Sequence, residues 1–374
     1  MKLFFSGLFA FFIVAGFSSA LLTAQINSTT PAPSTKTPVS AANASGSTIS
    51  LRASSAVNLT SEMGGAFMSP SKCDADGNLY IRKLAMDRPL LGPVVKIDAD
   101  GKRTALFDPA AFSKLALDRA DAFSPAADGG MYQIAQSGVL KPLSYVLRFS
   151  SDGSPSSPTR IDADFEVYTF AAFASGNFLV SGVQRDVQNR NDRGRNFTAV
   201  ISADGRELVQ LSFQQPLQPA KGSKRSDAGE SKEQAQKKPA NDAGESVPML
   251  DLADAEVGSD GNLYVMRASS PALVYVIAPS GKIMPLLKVA GPAGALPGAF
   301  HVSGNRVAIL FWNEENQSGT MVIADAQTGR RIASYADATG MGTSFACYSA
   351  NDGIFTFLKL GEGNALEVIR AEAQ

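Results

Sequence analysis

The stretch that decides the fold is Asp260-Gly261-Asn262-Leu263-Tyr264-Val265, followed closely by Val276-Ile277-Ala278-Pro279-Ser280-Gly281-Lys282. Asp-Gly and Gly-Asn pairs supply the positive φ of a tight hairpin turn, and the flanking apolar residues are typical of β-strands. The stretch therefore predicts two successive hairpin turns that join short antiparallel strands.

The same unit recurs along the chain. Glycines of the first turn stand at positions 77, 129, 176, 261, 304 and 353, so the intervals are 52, 47, 85, 43 and 49 residues. The second-turn glycines 101, 153, 205, 281 and 329 follow 20 to 29 residues after the first five. A four-stranded unit that repeats at this period indicates a β-propeller.

The long interval contains an insertion at about residues 214–247, which is rich in lysine and acidic residues and poor in large apolar ones. Such a composition cannot bury enough apolar surface to fold, so we expect a solvated, disordered segment and no seventh unit. The sixth unit lacks a fourth strand, whereas the alternating residues 48–52 supply one. We therefore predict an all-β, six-bladed β-propeller over residues 48–374, with four-stranded antiparallel blades and a ring closed by the N-terminal strand joining the last blade.

These turn motifs resemble those of the NHL-repeat, TolB-like and gluconolactonase-like six-bladed propellers, over about residues 48–374. The resemblance lies in structural turns, so it implies a fold and leaves the function open. In propellers of this kind the inner strands run down a central channel. The first turns then lie on the lower face, and ligands usually bind on the upper face.

The N-terminus reads as an export signal over residues 1–24. Lys2 precedes an apolar run from Leu3 to Phe17, and Leu22-Thr23-Ala24 fits a signal-peptidase site before Gln25. An uncleaved anchor is the alternative, because this segment is just long enough to span a bilayer. Residues 25–47 are rich in Ser, Thr, Pro and Ala and predict a flexible linker. We expect a secreted or periplasmic protein with no membrane span after cleavage.

The charge balance limits the classes of partner molecule. The 34 basic residues nearly equal the 35 acidic ones, which disfavours nucleic acid and anionic membranes as partners. We expect a monomer that presents its upper face to a protein, peptide or glycan. A structural component of the envelope is a simpler alternative.

Two surface segments are candidates for this binding. Four arginines in the loop near residues 185–196 suit an anion clamp, although they equally suit a solvated loop paired with its own acids. Trp312 suits an aromatic platform or the end of a buried strand. The candidate residues are Arg185, Arg190, Arg193, Arg195, Trp312, Asn313 and Glu314.

An enzyme is the alternative function. The gluconolactonase-like resemblance implies a lactonase-like hydrolase or lyase with a divalent metal such as Ca2+ at the channel mouth, where Glu62, Asp121 and Asp254 are weak ligand candidates. Matching asparagines are absent, and solvated rim acids are the simpler interpretation. His301, the only histidine, has no patterned catalytic partner and is expected to line the channel or core. We name no catalytic residue and no cofactor.

Cys73 and Cys347 are the only cysteines, and each precedes a first turn. In a closed ring the first and last units are neighbours, so a disulfide between these residues is one expectation. Two buried thiols are the other.

Overall fold

The computed structural model describes residues 49–63, 67–138, 143–161, 166–184, 194–211, 250–336, 341, 344–361 and 365–374. The expected signal peptide (1–24), linker (25–47) and insertion (214–247) lie outside these ranges. Within them no helix is long and apolar enough to cross a membrane.

The first described elements are strand β1 (Ile49–Asn58) and a single helical turn, α1 (Thr60–Met63). The first four-stranded sheet follows, in the order β2 (Phe67–Cys73), β3 (Leu79–Lys83), β4 (Val94–Ile97) and β5 (Arg103–Phe107). Neighbouring strands are antiparallel, with short 3-10 turns at Pro89–Leu91 and Pro109–Leu115.

Three further antiparallel four-stranded sheets repeat this order. The second contains β6 (Arg119–Pro125), β7 (Met131–Ser137), β8 (Leu143–Phe149) and β9 (Thr159–Arg160). The third contains β10 (Glu166–Ala172), β11 (Phe178–Gln184), β12 (Arg195–Ile201) and β13 (Glu207–Gln210). The fourth contains β14 (Glu256–Val257), β15 (Leu263–Arg267), β16 (Ala272–Ile277) and β17 (Leu287–Val289).

The remaining strands form one sheet of eight. One half contains β18 (Leu296–Ser303), β19 (Arg306–Asn313), β20 (Ser318–Asp325) and β21 (Arg331–Ala336). The other half contains β22 (Ser344–Ser349), β23 (Ile354–Leu360), β24 (Leu366–Ala373) and β1. Strand β1 lies antiparallel to β24 from Leu51 to Asn58, as the closing strand was predicted to do.

The prediction of an all-β chain with a propeller-like arrangement of small antiparallel sheets is confirmed, but the strand pairing does not separate six blades. Residues Ile49 and Ser50 of β1 continue past β24 and pair in parallel with Tyr335 and Ala336 of β21. This short contact satisfies backbone groups on an otherwise open edge, and it joins the last two predicted blades into one sheet.

Six clusters of buried apolar side chains fill the spaces between successive four-stranded units. One cluster packs Leu59 and Ile81 against Leu358 and Val368, so the first sheet also contacts the last strands of the chain. Burying one such side chain contributes about 1.5–3 kcal/mol, so each cluster holds two units together firmly.

The second-turn glycines show how successive units interlock. Gly101 has a φ of 82°, and a Cβ placed on it would lie 2.3 Å from Cγ1 of Val57 in β1. Each of the other four second turns meets the outermost strand of the preceding sheet in the same way: Gly153 at Leu106, Gly205 at Arg160, Gly281 at Val209 and Gly329 at Lys288. Strand β1 is thus the outer strand that precedes the first sheet.

Candidate binding site in the channel

Residues in or next to strands β2, β6, β10, β14, β18 and β22 border two cavities, and the space that these strands enclose is here called the channel. The cavity at the first-turn end, here called the lower cavity, has a volume of about 790 Å³. It is bordered by residues of each four-stranded sheet and of both halves of the eight-stranded sheet, among them Cys73, Ala126, Ala174, Gly258, His301 and Tyr348. The opposite end, where the inner strands begin, holds a smaller upper cavity of about 300 Å³. Its lining includes Pro70, Lys72, Arg82, Arg119, Asp121, Phe123, Tyr168, Thr169, Asp251 and Ala253.

Lys72 borders both cavities. It lies on inner strand β2 and is only 2% exposed. Its Nζ donates a hydrogen bond of 2.5 Å to the carbonyl of Ala255, from the segment that precedes β14. The ammonium group therefore bridges two sheets inside the channel.

Glu256 and His301 lie deeper in the channel, next to this lysine. Their side chains are 11% and 9% exposed, and Glu256 Oε2 lies 3.8 Å from His301 Nε2. The backbone N–H of Tyr348 donates to His301 Nδ1 over 3.2 Å, so a neutral imidazole carries its proton on Nε2. His301 therefore lines the channel, in agreement with the sequence-based expectation.

Burial keeps this pair uncharged despite the short separation. Desolvation raises the pKa of Glu256 to about 8, with Lys72 opposing the shift and Asp254 adding to it. Desolvation also lowers the pKa of His301 to about 4, opposed by the Tyr348 hydrogen bond and reinforced by the charge of Lys72. The two directions agree, so we interpret the pair as neutral acid and neutral base at pH 7.

Asp254 adds a third acid to this region. It is exposed and lies between Ala253, which borders the upper cavity, and Ala255, which borders the lower one. Desolvation and the nearby charge of Asp251 raise its pKa, while Lys72 acts in the opposite direction. Strongly shifted carboxyl groups in a cleft are a feature of functional sites, although structural networks also produce them.

Arg82 lies in the wall of the upper cavity on β3 and is 8% exposed. One terminal nitrogen donates to the carbonyl of Asp121 over 3.3 Å, and the other donates to that of Leu90 over 3.1 Å. Its Nε has no hydrogen-bond partner among the described residues. Desolvation lowers the pKa of Arg82, with Asp121 opposing this and Arg119 adding to it.

The carboxylate nearest to Arg82 is bound by another residue. Arg119 Nε donates to Asp121 Oδ2 over 2.5 Å, and both side chains are partly exposed at the cavity mouth. The register of β6 against β7 shifts between Ala120 and Phe123, so the backbone is irregular at this acid. Asp121 therefore presents its carbonyl to Arg82 and its carboxylate to Arg119.

The structure disperses the residues proposed for binding. Arg185, Arg190 and Arg193 lie outside the described ranges, so the anion-clamp hypothesis stays a prediction there. Arg195 is exposed at the start of β12 and donates to Gln184 Oε1 over 3.1 Å.

Trp312 and Asn313 are the last two residues of strand β19, so of the two interpretations of Trp312 the structure fits the end of a buried strand. Trp312 is half-buried and lies opposite Leu296 and Gly319 on the two neighbouring strands. Asn313 Oδ1 accepts the backbone N–H of Glu315 over 2.9 Å, which closes the following turn. Glu314 is exposed in that turn.

The weak metal candidates do not form a ligand set. Glu62 lies on α1, Asp121 is paired with Arg119, and Asp254 lies near Lys72. In the described part of the chain no group of three or more His, Cys, Asp or Glu side chains is arranged to hold a metal. These three residues therefore do not form one metal-binding group, and the calcium site that the gluconolactonase-like resemblance implied stays a prediction.

Cys73 and Cys347 are disulfide-bonded, with a Cα–Cα distance of 6.0 Å. They connect inner strands β2 and β22, which belong to the first and last units. The bond therefore joins the two ends of the folded chain beside the lower cavity.

Half of the exposed large apolar side chains lie on the upper face. By strand direction, four of the eight exposed large apolar residues in the described ranges lie there: Met86, Leu90, Leu296 and Leu360. They follow a second strand or begin an inner one, as the upper cavity residues do. Isolated exposed apolar residues are common, so this distribution supports a docking face only together with the cavity.

The strand order and the channel define an all-β protein with a propeller-like arrangement, and the chain resembles β-propellers of known structure. A protein of unknown function from Bacteroides caccae is 12% identical, with a TM-score of 0.43 over 73% of this chain and 82% of its own. A TolB-like protein of Agrobacterium tumefaciens is 12% identical, with a TM-score of 0.43 over 88% and 99%. The WD40 domain of Neurospora crassa Pan2 is 10% identical, with a TM-score of 0.42 over 87% and 96%.

Because each TM-score is below 0.5, these likenesses transfer no activity to this chain. No protein-family model and no curated protein matches the sequence.

Proposed function

We propose that the chain is a closed six-bladed β-propeller. Strand β1 pairs with β24 from Leu51 to Asn58 but with β21 at only two positions, so the eight-stranded sheet divides naturally between β21 and β1. The contact of Gly101 with Val57 repeats across this junction the relation seen between the other units. Both observations support six blades and a ring closed by the N-terminal strand.

We further propose that this propeller is an exported, non-enzymatic binding protein whose upper face holds a protein, peptide or glycan. The observation that carries the proposal is the upper cavity, which combines charged, aromatic and small side chains at the meeting point of several sheets. A volume of about 300 Å³ is at the lower limit of small-ligand sites. It suits one protruding residue or sugar of a larger partner, while the exposed side chain of Leu90, whose carbonyl binds Arg82, offers apolar contact area.

Binding is tested by screening the purified chain on peptide and glycan arrays and comparing two cavity-filling variants. Ala253→Trp fills the upper cavity, and the matched control Ala174→Trp places the same ring in the lower cavity. We expect a ligand that is lost by Ala253→Trp and kept by Ala174→Trp. The opposite pattern would overturn the choice of face, and no ligand in either library would overturn the proposed ligand classes.

A hydrolase acting in the channel is the second candidate, because the raised pKa of Glu256 leaves a protonated acid available at neutral pH. Lactone hydrolysis is measured with and without added Ca2+, alongside Glu256→Gln. Turnover that depends on Glu256 would favour the enzyme. Turnover that requires Ca2+ would support the calcium site, although the described acids form no group of three around one position.

A further inference from the structure

Two buried cations border the upper cavity. The acids that act on them, Asp254 and Glu256 for Lys72 and Asp121 for Arg82, lie beyond ion-pair distance. Lys72 and Arg82 both border this cavity, and neither has a carboxylate within 4 Å among the described residues. Their contacts are backbone carbonyls, of Ala255 for the lysine and of Asp121 and Leu90 for the arginine. Buried charges in proteins are usually paired, because an unpaired one is expensive to remove from water.

The unused hydrogen-bond donors of Arg82 indicate the kind of group that could bind in the cavity. A guanidinium carries five N–H donors in a planar fork. The Nε of Arg82 is enclosed by protein, and each terminal nitrogen makes one bond to a carbonyl among the described residues, so each has a second N–H to offer a ligand. The Asp121 carboxylate would be the natural partner, but Arg119 already binds it. A ligand carboxylate would offer two oxygens in the plane that the guanidinium fork recognises.

The remaining charges limit the ligand further. Asp121 and Asp251 also border the upper cavity, so a second negative charge on the ligand would meet repulsion. The small volume admits one compact group beside the aromatic rings of Phe123 and Tyr168. A single carboxylate on a short apolar stem satisfies these conditions better than a phosphate dianion does.

We propose that the upper cavity binds a monocarboxylate group, with Arg82 as its anchor and Lys72 as the second cation. This inference rests on the proposed binding function, since it names the chemistry that the same cavity accepts. The carboxylate belongs either to a free small acid or to an end group of the larger ligand.

The experiment is calorimetric titration of the whole chain at fixed ionic strength with butyrate, its neutral amide butyramide, succinate and inorganic phosphate. We expect butyrate to bind about tenfold more tightly than butyramide, because a charge-assisted hydrogen bond is lost with the amide. Succinate and phosphate are expected to bind more weakly than butyrate. Equal binding of butyrate and butyramide, or tighter binding of either dianion, would overturn the monocarboxylate class.

Variants locate the site. Arg82→Lys keeps the charge but loses the fork, and Lys72→Met removes the second cation; each is expected to weaken butyrate about tenfold. The control Lys96→Met removes a cation that pairs with Asp74 over 3.2 Å near the first turn, and it should leave butyrate affinity unchanged. Unchanged affinity in both Arg82→Lys and Lys72→Met would overturn the assignment. If Arg82→Lys does not fold, the butyrate affinity of Lys72→Met and the ligand series on the wild-type chain still test whether the cavity binds a monocarboxylate.

The two proposals can fail separately. Butyrate that binds with equal affinity to Ala253→Trp would overturn the carboxylate site in the upper cavity. If an array ligand is still lost by Ala253→Trp while no carboxylate binds, the binding function stands and the anion inference alone is wrong.

Discussion

Replacing Glu256 with glutamine should change how the stability of this protein depends on pH. In the folded chain the pKa of Glu256 is about 8, above its value near 4.5 in an unfolded chain. Between these two pH values the folded state holds a proton that the unfolded state has released. Stability from this group is therefore complete below pH 4.5 and is lost as the pH rises toward 8.

The magnitude follows from the shift. One pKa unit corresponds to about 1.4 kcal/mol, so wild-type stability relative to Glu256→Gln should fall by about 3 kcal/mol from pH 5 to pH 7. Glutamine has the same shape and no titrating proton, which makes it a suitable reference. The buried position of Glu256, with 11% of its side chain exposed, limits screening by solvent.

His301 adds a second pH dependence of the folding stability, opposite in sign to that of Glu256. Its folded pKa of about 4 lies below its usual value of 6.5, so its contribution is complete above pH 6.5 and is lost as the pH falls toward 4. In the wild-type chain the two slopes nearly cancel between pH 4.5 and 6.5. In Glu256→Gln the histidine slope remains, so stability should rise with pH across that window.

The assay is urea unfolding at steps of half a pH unit, followed by circular dichroism and by the fluorescence of Trp312, the only tryptophan. Glu207→Gln makes the same change at an exposed position of β13 and should show no such pH-dependent difference. A difference between wild type and Glu256→Gln that stays flat from pH 5 to pH 7 would refute the neutral buried pair.

Two perturbations test the closure of the ring, and one measurement tests the export of the chain. Gly101→Ala should lower the free energy of unfolding in urea by about 2–4 kcal/mol, and Gly77→Ala by only about 1 kcal/mol. Both glycines have φ near 80°, but only a Cβ at Gly101 would collide with β1. Equal losses in the two variants would count against the contact between the second turn and β1. Reducing the Cys73–Cys347 bond, which spans 274 residues, should lower the free energy of unfolding by up to about 5 kcal/mol, and the double alanine variant should not respond to reductant. Mass spectrometry of the exported chain should find Gln25 at its N-terminus, whereas an intact Met1 would favour the uncleaved anchor.

Local chemistry in the sequence determined much of the architecture. Glycine in an Asp-Gly or Gly-Asn turn and a short alternating strand are decided by neighbouring residues, so the repeating four-stranded unit could be predicted from spacing. The closing strand was predictable for the same reason, because the last unit lacked a strand and residues 48–52 alternate. The added pairing of Ile49 and Ser50 with β21 depends on how the last two units meet, which no local pattern contains.

The candidate site was decided by the tertiary structure alone. Lys72, Arg82, Glu256 and His301 are distributed over four strands, and each looks unremarkable among its neighbours in the sequence. One signal was available, since an ionisable residue inside an inner strand must face either the core or the channel, and Lys72, Glu256 and His301 all meet that condition. The burial of these residues, the lack of an ion-pair partner at Lys72 and Arg82, and the shifted pKa values of Arg82, Glu256 and His301 arise from distances across the channel. Electrostatic and desolvation energies depend on proximity in space and not on spacing along the chain.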